Sequence, residues 1–219
     1  MWSINIIGEF CNLSSASQKR LYMPSIAASR IVYLQSRVSR FDDQMAYKEL
    51  FTAFYPSLFQ FVLGIIKSRQ PAEEIVSDLF MKIWEKRSTL EEIQNLRVYC
   101  FVAARHLSIN QLEKQKRHRH ADIDEFKSHL FYSAPDPEEC MISAEMLRLI
   151  HDVVDDLPPR CKLSFKLVKE YGFKYREAAE ILQVSEKTIE NQLSIALKKI
   201  SAAIHFDIGR SIPVIAGLH

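Results

Sequence analysis

The chain has 219 residues, which at roughly 100 to 200 residues per domain leaves room for one or two domains with buried cores and excludes a large multidomain machine. Hydrophobic residues make up 47% and charged residues 26%, ordinary globular proportions that exclude wholesale disorder, while only 5 Gly and 8 Pro starve hairpin turns and favour helices. The net charge is only +2, so any binding of nucleic acid must rest on local clusters.

Residues 1–40 are serine-rich, carry Lys19, Arg20, Arg30, Arg37 and Arg40 against Glu9 alone, and show no sustained period. They read as an extension outside any domain, and a transit peptide, a disordered segment and a misassigned start, with Met23 or Met45 as later candidates, all fit. No secretory signal fits, because no charged head is joined to a clean apolar stretch. Four cysteines, Cys11, Cys100, Cys140 and Cys161, are scattered without a C-x-x-C; this fits neither a disulfide scaffold nor a zinc ribbon and points to a reducing cytoplasm.

Residues 41–119 are helical throughout. Leu50, Phe51, Phe54, Leu58, Phe61, Val62, Ile65 and Ile66 recur at spacings of three and four and predict a long core helix. Ser57 and Gln60 interrupt its apolar run, which falls short of the roughly 18 uninterrupted apolar residues of a membrane span. Pro71 suits the first turn of a second helix, whose positive end Glu73 and Glu74 favour, and Ile75, Val76, Leu79, Phe80, Ile83 and Trp84 carry its period to Arg87. A third helix is predicted over 96–116, with Val98, Phe101, Val102, Leu107, Ile109 and Leu112 among its apolar positions.

Residues 120–140 lose the period and concentrate Asp122, Asp124, Glu125, Asp136, Glu138 and Glu139 with Pro135 and Pro137, the composition of a flexible acidic linker. A second helical block covers 141–205 and is broken at Leu157-Pro158-Pro159, where the prolines end one helix and permit the next. Residues 206–219 form an unclassified tail. The fold class is therefore all-α, two small helical domains on a tether.

The most informative pattern is Lys174 to Lys199. Tyr175, Ala178, Ala179 and Leu182 place an apolar stripe on a short helix, Gln183-Val184 turns the chain, and Ser185 caps a second helix whose inward stripe is Ile189, Leu193, Ala196, Leu197 and Ile200. This is the design of a helix-turn-helix, whose second helix enters a DNA major groove. Asn191 and Gln192 have the amide pairs that read adenine, and Lys187 reaches guanine or a phosphate. Any antiparallel helix pair with a polar turn shares the pattern, however, and Glu186 and Glu190 repel phosphate.

A local basic stripe runs from Arg97 to Arg119, where Arg97, Arg105, Lys114, Lys116, Arg117 and Arg119 face only Glu113. With Tyr99 and Phe101 at its start it combines phosphate-seeking charge with aromatic surface, as binding of single-stranded nucleic acid requires, although a solvated helix end over two core aromatics reads equally well. His106, His118 and His120 with Cys100 are poorly spaced for a tetrahedral metal site and stand in a basic field. No P-loop, G-x-S-x-G or H-E-x-x-H occurs, and nothing argues for catalysis or a cofactor.

Taken in order, these features resemble a known family. Pro71 to Arg87, PAEEIVSDLFMKIWEKR, looks like the polymerase-binding helix of bacterial extracytoplasmic-function (ECF) sigma factors. Ala103 to Arg119 is similar to the next helix of their region two, and Leu157-Pro158-Pro159-Arg160 with the helix-turn-helix resembles their region four. The resemblance implies a promoter-specificity subunit whose partners are core RNA polymerase and promoter DNA, together with an anti-sigma factor that in many members is a membrane protein. It places Glu74, Asp78, Phe80, Lys82, Ile83 and Trp84 on the helix that docks on the largest catalytic polymerase subunit. It maps the minus-ten contacts to Arg105, His106, Asn110, Gln111, Lys114, Lys116 and Arg117. The minus-thirty-five contacts fall on Ser185, Lys187, Thr188, Glu190, Asn191, Gln192 and Ser194. His106, Gln111 and Glu113 depart from the family's usual asparagine, aromatic and base. The rival readings are a one-component regulator that reads DNA without polymerase and a module that binds only an inhibitor; the Pro71 to Arg87 helix argues against the first.

Overall fold

The computed structural model describes residues 26–118 and 152–211, with side chains described for 26–115 and 152–203. Among the described residues every regular element is helical. The chain divides into two compact units, taken here separately.

The first unit contains α1 (Ala28–Phe41), α2 (Gln44–Ile66), α3 (Arg69–Glu85), a 3₁₀ segment (Arg87–Glu92) and α4 (Leu96–His118). Helix α1 corrects the expectation of an extension up to residue 40. It buries Ile31, Leu34, Gln35 and Val38 and packs on α2 and the 3₁₀ segment. Gln35 makes that packing specific: its buried amide donates to the carbonyls of Leu90 and Ile93, at 3.1 and 3.0 Å, and satisfies the end of the 3₁₀ segment. Asp42, at a left-handed φ of 52°, ends α1, and Asp43 caps α2 by accepting from the backbone N–H groups of Met45 and Ala46, each at 3.0 Å.

Helix α2 is long and apolar enough to cross a membrane by length and composition, but it is the core of this bundle. It meets α1, α3 and α4 and buries Leu50, Phe54, Leu58, Phe61 and Val62. Its internal Pro56 is exposed, as is Thr52 one turn earlier, so the carbonyl that loses its N–H partner faces solvent. In α3, Pro71 does fall in the first turn, yet Glu73 pairs with Arg69 at 2.9 Å. Helix α4 is capped by Asn95, whose Oδ1 accepts from the Val98 N–H at 3.1 Å, and the Phe101 ring packs on Phe61 with centroids 5.1 Å apart.

In the second unit, residues 152–155 are helical and the chain breaks at Pro158 as expected, with Pro159 opening α5 (Pro159–Phe165). The Lys166–Glu170 segment widens into a π turn, in which the Tyr171 N–H reaches the Lys166 carbonyl at 2.8 Å. Gly172, at a φ of 70°, then turns the chain into α6 (Tyr175–Leu182), and α7 spans Glu186–Ser211. Helix α7 thus runs into what composition alone assigned to a tail beginning at residue 206. The proposed linker, residues 120–140, and the start of the second block at 141 lie outside the described residues. Val154, Leu157, Cys161, Ala196 and Ile200 form one buried cluster, joining the helical segment before the prolines to α5 and α7.

Candidate nucleic-acid and polymerase interfaces

The helix-turn-helix is built as its residues dictate. Lys174 is the N-cap of α6, and Glu177 reaches back to accept from its backbone N–H at 2.8 Å, while the Ala178 N–H bonds to the Lys174 carbonyl. Ala178, Ala179 and Ile181 are buried, whereas Tyr175 is 39% exposed and Leu182 half-buried, so the predicted Tyr175 is not part of the buried stripe. Gln183 takes a left-handed φ of 54°, and the Val184 N–H returns to the Ala179 carbonyl at 3.0 Å to close the turn. Ser185 then caps α7, its Oγ accepting from the Thr188 N–H at 3.1 Å.

On α7 the inward stripe is Ile189, Leu193, Ala196 and Ile200, all buried. Leu197 was expected on it but is 46% exposed, because a residue next to Ala196 is rotated by about 100° out of the seam. Glu190, Asn191 and Ser194 are exposed with Ser185 and Lys187, and Thr188 is half-buried. Gln192 differs: it is half-buried and its Oε1 accepts from the buried Ser164 hydroxyl. An adenine needs both ends of an amide, so this bond corrects the reading of Gln192 as an adenine reader and makes it a brace between α5 and α7. Lys187 and Glu190 form an exposed ion pair at 2.8 Å, and that hydrogen bond raises the Lys187 pKa. The exposed Lys174 and Arg176 stand at the start of α6; only the general expectation of nearby bases meeting phosphates anticipated them.

Helix α3 sorts its six expected docking residues by the period of the helix. Glu74, Asp78 and Lys82 are exposed at spacings of four, and Met81 and Glu85, which motif matching alone did not single out, share that side of the helix. Phe80 and Ile83 are only 4% and 5% exposed and face inward, where Phe80 meets Phe51 with centroids 4.7 Å apart. They are therefore corrected from contact residues to core. Trp84 is half-buried between the Tyr47 ring, 4.8 Å away, and the Arg87 guanidinium, also 4.8 Å away. Tyr47 in turn donates to the Phe80 carbonyl, which fixes α3 on α2.

On α4 the exposed stripe is Tyr99, His106, Asn110, Glu113 and Lys114. Phe101 is 1% exposed, so of the two aromatics only Tyr99 has a surface to offer. Leu107, Ile109 and Leu112 are half-exposed, and the buried positions along that stretch are Ala104 and Ser108, whose hydroxyl donates to the Ala104 carbonyl at 2.7 Å. Gln111 and Arg105 are half-buried; one Arg105 guanidinium nitrogen, Nη1, is buried without a protein partner, and desolvation lowers the Arg105 pKa. Lys116 and Arg117 continue α4, but their side chains are outside the described set.

Residues 50–118 match the family described as Sigma-70 region 2, and residues 147–200 match Sigma-70, region 4; together they span more than half of the 219 residues. The chain belongs to the sigma-70 family. Within it, this is an ECF sigma factor, a factor that binds core RNA polymerase and directs promoter-specific initiation. The ECF RNA polymerase sigma factor SigX of Bacillus subtilis (strain 168) is 20% identical over 158 residues, covering 68% of this chain and 78% of its own. SigM, an ECF RNA polymerase sigma factor of the same organism, is 20% identical over 158 residues, covering 72% and 94%. Among solved structures, the sigma factor RpoE of Bartonella quintana, determined in complex with the anti-sigma factor NepR, superposes with a TM-score of 0.57 at 22% identity, over 74% of this sigma factor and 98% of that chain. That likeness places the fold of the sigma factor's helices.

Proposed function

We propose that three helix surfaces divide the work of this sigma factor. The exposed side of α3, Glu74, Asp78, Lys82 and the outer edge of Trp84, with Met81 and Glu85 beside them, docks on the largest catalytic subunit of core polymerase. The α4 surface, with Arg105, His106, Asn110, Gln111, Lys114, Lys116 and Arg117, takes the minus-ten element. The start of α7, with Lys187, Glu190, Asn191 and Ser194 as readers, takes the minus-thirty-five element. Ser185 and Thr188 hold the helix start in place. The observation that carries this reading is the sorting of the α3 motif: its charged residues line one exposed side while Phe80 and Ile83 lock the other into the bundle.

All bond-making chemistry belongs to the polymerase, and this chain is a non-enzymatic factor of the cytoplasm. A partner of the anti-sigma class holds it inactive by covering these docking surfaces. Two weak DNA contacts on a tether cooperate once both units sit on polymerase, because docking raises the effective concentration of each for its element.

The test is co-purification with core polymerase. Glu74→Ala with Asp78→Ala is expected to weaken binding at least tenfold while leaving the melting temperature within a few degrees of the parent; retention of full binding overturns the α3 assignment.

A further inference from the structure

The exposed apolar surface of the first unit is concentrated on one helix and its neighbour. Among the described residues the four most exposed large hydrophobic side chains are Met45 at 73%, Phe41 at 65%, Val32 at 60% and Tyr33 at 52%, and all lie on α1 or at the start of α2. Solitary exposed apolar residues are ordinary, but a group of them marks a surface that something covers. Tyr33 and Met45 line an open groove of about 450 Å³ between α1 and α2, together with the buried Leu34 and Ala46. The Arg37 guanidinium, also on the groove, lies 5.0 Å from the Phe41 ring and so joins Phe41 to it. The carboxylates of the groove are already engaged: Asp43 pairs with Arg37 at 2.8 Å and Glu49 with Arg30 at 2.6 Å. None of these residues belongs to the surfaces assigned to polymerase or promoter.

We propose that the groove is the seat of residues 2–13 of this same chain. Residues 1–25 precede the described part of the chain, and α1, whose Arg30 and Tyr33 line the groove, begins at Ala28. Among residues 2–13, Trp2, Ile4, Ile6, Ile7, Phe10 and Leu13 are apolar, while Lys19 and Arg20 fall in the stretch that follows. The charged side chain within residues 2–13 is Glu9, whose sign suits a groove lined by the cations Arg30, Arg37 and Lys48 against the carboxylates of Asp43 and Glu49. Reach is ample: residues 14–25 can span about 40 Å at ~3.3 Å per residue, whereas α1, with 14 residues, is about 21 Å long. A covalently linked segment also meets the groove at an effective concentration in the millimolar range, so weak apolar contacts suffice to keep it seated. The seated segment covers Tyr33, Phe41 and Met45 and adds to the packing of α1 on α2.

The experiment is hydroxyl-radical footprinting read by mass spectrometry. It compares the 219-residue chain, the same chain with Trp2→Ser, Ile6→Ser and Phe10→Ser, and a chain beginning at Met23, which keeps every described residue. Tyr33, Phe41 and Met45 are expected to oxidise about tenfold more slowly in the parent than in either altered chain. Met81, exposed on α3, should oxidise at one rate in all three and reports that the unit is folded. Equal rates at the three side chains in the parent and the altered chains overturn the inference. Slow oxidation that survives the triple substitution overturns it too, and if the protection grows with protein concentration a second copy covers the face instead. Neither polymerase nor promoter DNA enters the measurement, so its outcome is separate from the assignments of α3, α4 and α7.

Discussion

Asp43 shows how much one side chain organises. It caps α2 through Met45 and Ala46 and pairs with Arg37 at 2.8 Å, and these bonds, the one from the Ala46 N–H foremost, hold its carboxyl below the usual range. A depressed folded pKa adds stability that is complete above the unfolded value near 3.9 and is lost as pH falls through the folded one. Asp43→Asn keeps a capping side chain without that titration, so the stability advantage of the parent over the variant is expected at neutral pH and should vanish in acid. Denaturant melts of both chains across pH 7 to pH 2 check this. Phe80 belongs to the same scale: Phe80→Ala should destabilise the first unit by about 3 to 5 kcal/mol, whereas the exposed Asp78→Ala should change stability by about 0.5 kcal/mol or less. Urea unfolding separates the two, and with it core packing from docking. Ser185→Ala removes the cap of α7 and should cost the second unit about 1 kcal/mol by the same measurement.

At the scale of elements, the sequence announces α2, α3, α6 and the turn of the helix-turn-helix because their apolar period, prolines and caps agree. Helix α1 is hidden for a physical reason. Its buried Ile31, Leu34 and Val38 keep the spacing of a helix, but Val32 and Tyr33, 60% and 52% exposed, blur the stripe, and a buried position is polar Gln35. Only the distant carbonyls of Leu90 and Ile93 explain that glutamine, and pattern reading does not see a partner 55 residues away. Gln35→Leu leaves both carbonyls without this donor and should destabilise the first unit by about 1 to 3 kcal/mol in urea melts. A chain starting at Met45 lacks α1 and uncovers its seat on α2, and is expected to lose the cooperative melt of that unit by circular dichroism. On α3 the apolar period already set Phe80 and Ile83 beside Ile75, Val76 and Leu79 on the covered side, while the motif taken as a string counted the same two among the docking residues; their burial follows the period. Gln192 was misread because its partner, Ser164, lies on another helix.

At the scale of the whole molecule, the net charge of +2 gives little general attraction to DNA. On the proposed assignment promoter affinity comes from assembly, with α3 as the anchor on polymerase and the two proposed DNA surfaces acting on a template brought close to both. The free chain is expected to bind promoter DNA weakly and with a steep loss in salt, and the polymerase complex tightly. The measurement that tests this most directly is transcription by core polymerase on a promoter library, comparing no added factor, the parent chain, and the chain with Glu74→Ala and Asp78→Ala. The account predicts specific start sites with the parent that disappear in the variant while its melting curve is retained. Sequence-specific DNA binding by the free chain, with no binding to core polymerase and no new start sites, would contradict it and leave a one-component regulator in its place.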